Sequence, residues 1–255
     1  MNFNKFFKEA KEAGITTSEV SFSKSTSTSF SLFHKELDNY LISNQSVLKA
    51  RGIYEGKLGT VTTEDLTSNA IPYLISTIKS TAYYIEKDEE PIIFKGSKKY
   101  HKKNLYNREL ANVSIDKKIE TLHEVEDLAY AYDKRITEVS VSYLEKDVES
   151  VLVNSYGLKL KSKTNYYYFY LYVVAKEGDE VKSDGDLFLE SDFSKFSAKD
   201  FVKSVCEKTL SKFHGISIKS KTYKAVLNQD VVGNLLNAII NNSCSAENVQ
   251  RKSSL

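Results

Sequence analysis

The sequence is poor in several residue types and patterns, and each shortage excludes something. It has two cysteines, Cys206 and Cys244, neither in a CxxC pair, so there is no disulfide framework and a reducing compartment is the simplest setting. Neither has a histidine beside it, which leaves a thiol nucleophile unsupported. Only four of the 36 basic residues are arginine (Arg51, Arg108, Arg135 and Arg251), and lysine is poorly suited to bidentate reading of bases or phosphates. A formal net charge of +2 makes no strong case for nucleic acid or an anionic membrane as partner. The longest apolar run, YYYFYLYVVA at 166–175, is too short and too rich in tyrosine to span a bilayer. The N-terminal MNFNKFFKEAKEAG has no long apolar core and no small-residue cleavage site, so it does not read as a signal peptide. A soluble cytoplasmic protein is the expectation.

Histidine is scarce too. His34, His101, His123 and His214 are dispersed. HEVED at 123–127 superficially suggests a metal-binding helix, but it lacks a second histidine, and zinc needs three or four convergent donors. An exposed helix flank is the plainer reading of His123. No GxSxG elbow and no glycine-rich phosphate loop accompany the many serines.

What the chain does have is a globular composition, 41% apolar and 27% charged, and a pattern that recurs. Phe3, Phe6, Phe7 and Ala10 fall at helical spacing before Gly14. In TSEVSFSKSTSTSFSLF (17–33), Val20, Phe22, Phe30 and Leu32 alternate with serines, which is strand periodicity; its Ser/Thr-rich middle reads as a turn or an exposed stretch. Short strands are expected around 40–54 and 57–63. A helix follows on the stripe Ile71, Leu74, Ile75, Ile78, Ala82 and Ile85, with Pro72 tolerable in its first turn. The series then restarts. Ser114 is a plausible N-cap for a helix carrying Ile115, Ile119, Leu122, Val125 and Ala129 on one face. Strands are expected at 135–147 and near 148–154, 157–163, 165–176 and 181–189. A closing helix from a Ser197 cap presents Phe201, Val202, Val205, Leu210 and Phe213, with Cys206 in its core face.

The expected fold class is α+β: two similar helix–antiparallel meander–helix units, an internal duplication, plus the start of a third, β-rich domain. The expected boundaries are 1–87 for the first unit, 88–113 for a linker, 114–215 for the middle unit and 216–255 for the third domain, opening on a strand ISIKSKTYKAVLN.

Two stretches could carry function. Lys95, Lys98, Lys99, Lys102, Lys103 and Arg108, interleaved with Tyr100 and Tyr106, could track phosphates and stack bases; a solvated linker beside the acidic KDEEP is the plainer reading. In NYYYFYLYVVAKEG, Tyr166, Tyr168, Tyr170 and Tyr172 share one strand face and Tyr167, Phe169, Leu171 and Val173 the other. The first four could line a peptide groove, or form the second face of a central strand beneath a helix.

The order of segments resembles the TldD/PmbA family, once called modulators of DNA gyrase. ARGIYEGKLGTVTTEDL (50–66) is similar to the family's first-domain signature of an Arg-Gly strand, a Gly-x-x-Gly turn and a Thr-x-Asp lead into a helix. LYNRELANVSIDKKIETLHEVEDLAYAYDKRITEVSVSY and NSYGLKLKSK resemble the middle domain, and KAVLNQDVVGNLLNAI with SAENVQRKSSL the opening of the third. The TldD-like subunit of that family is a zinc protease bearing His-Glu-x-x-x-His; the PmbA-like subunit, also called TldE, lacks the motif. The resemblance lays Asn237 on the first histidine, Ala238 on the glutamate and Asn242 on the second histidine. Asparagine amides are weak zinc ligands and alanine offers no general base. The resemblance therefore implies a non-catalytic PmbA/TldE-like chain, truncated in its third domain, with no catalytic, cofactor-binding or metal residues of its own. Zinc is then expected on a TldD-like partner, which the chain would join as a heteromer, or else it self-associates. The implied task is processing of peptides or unfolded proteins, without direct DNA binding and without a membrane. A regulatory protein acting on gyrase, an enzyme built on His123 and an inactive truncated family member remain the alternatives.

Overall fold

The computed structural model describes residues 1–86 and 91–252. The acidic KDEE at 87–90, in the expected linker, and residues 253–255 of the Arg-x-Ser-Ser segment lie outside the described residues. The chain divides into two compact units, Met1–Phe213 and His214–Leu255.

The first unit is built on one antiparallel sheet of six strands. They are β1 (Ile15–Phe33), β2 (Glu36–Tyr54), β3 (Lys57–Thr63), β4 (Ile136–Asn154), β5 (Lys159–Glu177) and β6 (Glu180–Glu190), in the spatial order β3-β2-β1-β4-β5-β6. Helices α1 (Phe3–Glu12), α2 (Ile71–Tyr84), α3 (Ile115–Tyr132) and α4 (Ala198–Leu210) complete the unit. The order helix, three-strand meander, helix thus occurs twice, and the two meanders meet at β1 and β4.

Several local signals act where the sequence places them. The Ser114 hydroxyl accepts the Lys117 N–H at 3.2 Å and the Ser197 hydroxyl accepts the Asp200 N–H at 3.3 Å, capping α3 and α4. Asn2 does the same for α1, accepting the Lys5 N–H at 3.1 Å. The stripes are buried as periodicity requires: Phe6 and Ala10 on α1; Ile71, Leu74, Ile78 and Ala82 on α2; Leu122, Val125 and Ala129 on α3; Val202, Val205 and Cys206 on α4. Two hydrophobic clusters result, one around α1 and α2 with Val20, Leu48 and Val61, the other around α3 and α4 with Phe30, Tyr143 and Phe169. Val20 and Phe30 lie an even number of residues apart on β1, so both clusters, and all four helices, occupy the same face of the sheet.

The strands are longer than their patterns suggest. The Ser/Thr-rich middle of β1 is neither a turn nor a break; every residue from Ser18 to Phe33 pairs with β2. Likewise 135–147 and 148–154 form one strand rather than two, as do 157–163 and 165–176. The apolar alternation lapses because those central stretches have no helix to face, while the backbone ladder does not need one. At the β1–β2 corner the chain reverses in two residues, His34 and Lys35, with φ of 51° and 66°. Both lie in the left-handed region, which twists such a hairpin correctly yet suits neither side chain. Buried Glu126 on α3 accepts the Lys35 N–H at 2.9 Å, and Asp127 pairs with the Lys35 ammonium.

In the second unit the expected strand at 216–228 is absent. Residues Ile216 to Asn228 are irregular, and α5 (Gln229–Ser243) and α6 (Ala246–Gln250) follow. A strand needs a neighbour for its N–H and C=O groups, and among the described residues this unit holds none.

Candidate functional site

Helix α5 carries the three positions that the family resemblance singled out. It opens on a side-chain cap, Asn228 accepting the Val231 N–H at 2.9 Å. Asn237, Ala238 and Asn242 are all exposed. The Asn237 side-chain oxygen accepts from the Asn241 amide at 2.9 Å, and the Asn242 carbonyl accepts from the Asn248 amide at 3.1 Å. With amide rather than imidazole donors, Asn237 and Asn242 do not fit a zinc site. Among the described residues no group of three or more His, Cys, Asp or Glu side chains could hold a metal ion.

His123 is half-buried on α3, and its carboxylate neighbours are committed elsewhere: Glu126 and Asp127 both hold the His34–Lys35 corner, and Glu124 is exposed. HEVED thus braces a hairpin. Burial pushes the Cys206 thiol up to about 12, with the charge of Asp133 adding to the effect, so the thiol stays protonated in its core position. Cys244 is exposed.

The basic run is fastened along the edge of β5. Leu105 bridges to Thr164, Asn107 and Asn165 exchange two hydrogen bonds of 2.7 Å, and the Asn154 amide donates to the Phe94 carbonyl at 2.8 Å. Lys95 lies over the Tyr156 ring at 5.2 Å and Lys163 over Tyr106 at 4.2 Å. The linker is therefore a packed strap, and Tyr106 is engaged by a lysine. Lys159, Lys161 and Lys163 on β5 are exposed beside it, a clustering that sequence distance concealed.

The sheet face opposite the four helices is the broadest candidate surface. Strand pairing sets Tyr168 beside Leu144 and Leu189, and Leu144 beside Ser29, so the tyrosines of β5 and the alternate serines of β1 share this face. No helix of the first unit covers it, contrary to the plainer expectation for the tyrosine ladder; Tyr170 and Tyr172 remain 38% exposed. Tyr170 lies across Gly185, where an added Cβ would stand 2.6 Å from its hydroxyl. Further along the same face, Ser21, Ser23, Gln45, Lys49 and Thr62 line a shallow groove of ≈ 720 Å³. Hydroxyls and amides of this kind can hold an extended polar chain by hydrogen bonding.

One polar cluster lies under α3. Lys118, almost wholly buried, contacts Glu145 Oε2 at 2.5 Å, and the Tyr143 hydroxyl donates to the same oxygen at 2.6 Å. Burial, reinforced by the Glu145 charge, drives the Tyr143 phenol far above its ordinary value. The groups satisfy one another and face the core, so the cluster reads as a structural tie.

Comparison with known proteins bears on this arrangement. Residues 108–213 match the family model of the PmbA/TldA metallopeptidase central domain. A metalloprotease PmbA homolog from Haemophilus influenzae is 22% identical over 231 residues, covering 89% of this chain and 51% of the relative. A Bacteroides thetaiotaomicron protein described as a modulator of DNA gyrase superimposes with a TM-score of 0.82 at 21% identity, over 95% of this chain and 58% of that one. TldE from Thermococcus kodakarensis gives 0.71 at 20% identity, over 82% and 47%. At such identities the two structures establish the fold: an α+β protein with the architecture of the TldD/TldE proteins. Residues 108–213 thus carry the likeness to the PmbA/TldA central domain, and over most of its length the chain is similar to PmbA and TldE proteins. It spans about half the length of the relatives it matches. No helix among the described residues is long and apolar enough to cross a membrane.

Proposed function

We propose that this chain serves as a non-catalytic, PmbA/TldE-like subunit of a cytoplasmic metallopeptidase complex that trims peptides or unfolded proteins. The observation that carries the reading is the composition of α5. At the positions laid on the family's metal motif stand Asn237, Ala238 and Asn242, which supply neither imidazole ligands nor a general base. Zinc and the water it activates then belong to a TldD-like partner bearing the intact motif. The contribution of this chain is binding: the open face, with its serine row and tyrosine ladder, suits an extended backbone whose side chains are not read. The repeated helix–meander–helix order supports an origin by internal duplication, which would have left two similar open surfaces side by side.

The test is capture of the tagged chain from its native lysate, with mass-spectrometric identification of what accompanies it. A family chain with intact His-Glu-x-x-x-His is the expected companion. Its absence, with gyrase subunits in its place, would move the regulatory reading forward.

A further inference from the structure

The two meanders differ at one edge. Over its 159–166 stretch β5 has β4 on one side and the 94–107 strap on the other, tied by Leu105 and Asn107. The corresponding stretch of β2, residues 36–47, has β1 on one side; β3 reaches only from Leu48 to Tyr54. Among the described residues no strand or strap pairs with the outer edge of 36–47, so roughly half of its N–H and C=O groups point outward without a ladder.

What protects this edge is confined to its start, where Glu36 and Asp38 carry charge and the register with β1 shifts at Asp38. ELDNYLISNQSV contains no lysine, arginine or proline, and Leu37, Tyr40, Leu41 and Ile42 are 44–54% exposed, on both faces of the strand. It also ends a row of aromatic rings. Tyr40, Phe30, Tyr143, Phe169 and Phe188 are direct cross-strand neighbours on β2, β1, β4, β5 and β6. Tyr40 stacks on Phe30 at 6.1 Å and Phe30 on Tyr143 at 4.8 Å, so the row runs across the sheet and stops, half-exposed, at the open edge.

We infer that residues 36–46 of β2 pair antiparallel with the same residues of a second copy of this chain, about a two-fold axis through Leu41. The charges select this occupant and this direction. Centred on Leu41, antiparallel pairing sets Asn39 against Ser43 and Tyr40 against Ile42, and carries Asp38 and Glu36, at and beyond the irregularity, toward the uncharged 44–46 stretch, so no like charges meet and the aromatic row continues onto an apolar side chain. Parallel pairing would stack Glu36 on Glu36 and Asp38 on Asp38. A two-fold contact must be self-complementary, and this edge is. The inference is independent of the family reading, because it uses only β2 and its neighbours.

The test is sedimentation equilibrium of the full chain over a range of concentrations, with the variants Leu41→Lys and Leu41→Glu. Leu41 faces its own copy across the axis, so either variant alone brings two like charges together. The unaltered chain is expected to dimerise, each variant to associate at least ~10-fold more weakly, and an equimolar mixture of the two variants to recover the dimer. Recovery in the mixture also shows that both variants fold. A chain that stays monomeric throughout, variants that dimerise undiminished, or a mixture that fails to recover would each overturn the proposal.

Discussion

Gly52 and Gly59 face each other across β2 and β3, and the main chain of α2 sits in the notch they leave. A Cβ on Gly59 would stand 1.8 Å from the Ile78 carbonyl oxygen, and one on Gly52 would stand 2.6 Å from the Ile15 side chain. The approach is fixed by Thr81, whose hydroxyl accepts the Thr60 N–H at 3.0 Å. Gly59→Ala must push α2 off the sheet. It is expected to cost about 1–3 kcal/mol, as overpacking does, measured by urea unfolding. An unchanged midpoint would show that α2 can slide.

The His34–Lys35 corner carries strain that a better turn removes. Both residues adopt positive φ, at about 1–2 kcal/mol each for ordinary side chains. The double variant His34→Asn, Lys35→Gly supplies the preferred two-residue turn and gives up the exposed ion pair with Asp127, worth little, and the edge contact of the His34 ring with Phe33 at 4.0 Å. A gain of about 1 kcal/mol in unfolding free energy is expected; a loss would mean that the ion pair and the ring contact outweigh the backbone term.

Asp133 and Arg135 fix the corner between α3 and β4. The guanidinium donates to both carboxylate oxygens at 2.9 Å and also reaches Glu177 at 2.9 Å. Hydrogen bonds from the Arg135 side chain and backbone hold the Asp133 carboxyl down at about 2. A carboxyl depressed in the folded state stabilises above its unfolded value, near 3.8, and that contribution disappears as pH falls toward 2. Asp133→Asn should therefore be less stable than the parent at neutral pH, with the gap closing between about pH 4 and 2. A gap independent of pH would remove the ionic account.

The two thiols should react on different clocks. Cys244 is exposed, whereas Cys206 is buried with its thiol held up to about 12. A disulfide reagent at neutral pH is expected to titrate one thiol quickly and the second only as fast as the protein opens. Two rapid thiols would contradict the packing of α4.

Much of this was readable beforehand, and particular residues show why the rest was not. Ser114 and Ser197 announced their helices because a cap is local chemistry. The partnership of Phe30 with Tyr143 was invisible because β1 and β4 lie far apart in the chain, and register between them is a tertiary fact. The length of β1 was hidden because its serines and threonines fill a stretch without a helix above it. The strand expected at 216–228 failed for the opposite reason: its pattern was suitable, but the unit offers no partner. In the candidate site, the residue types at 237, 238 and 242 were legible because identity needs no fold; laying them on His-Glu-x-x-x-His rests on the family resemblance. The openness of the face beneath the tyrosine ladder was not, because it depends on all four helices choosing the other side.

The central claim is that this chain contributes binding and no metal chemistry. The most direct measurement is zinc content by elemental mass spectrometry together with cleavage of an unstructured peptide, for this chain alone and for the chain co-expressed with a family subunit bearing intact His-Glu-x-x-x-His. The account predicts no stoichiometric zinc and no cleavage from the chain alone, and a co-purifying pair that holds zinc and cleaves until a chelator removes it. Stoichiometric zinc and chelator-sensitive cleavage from this chain alone would contradict it.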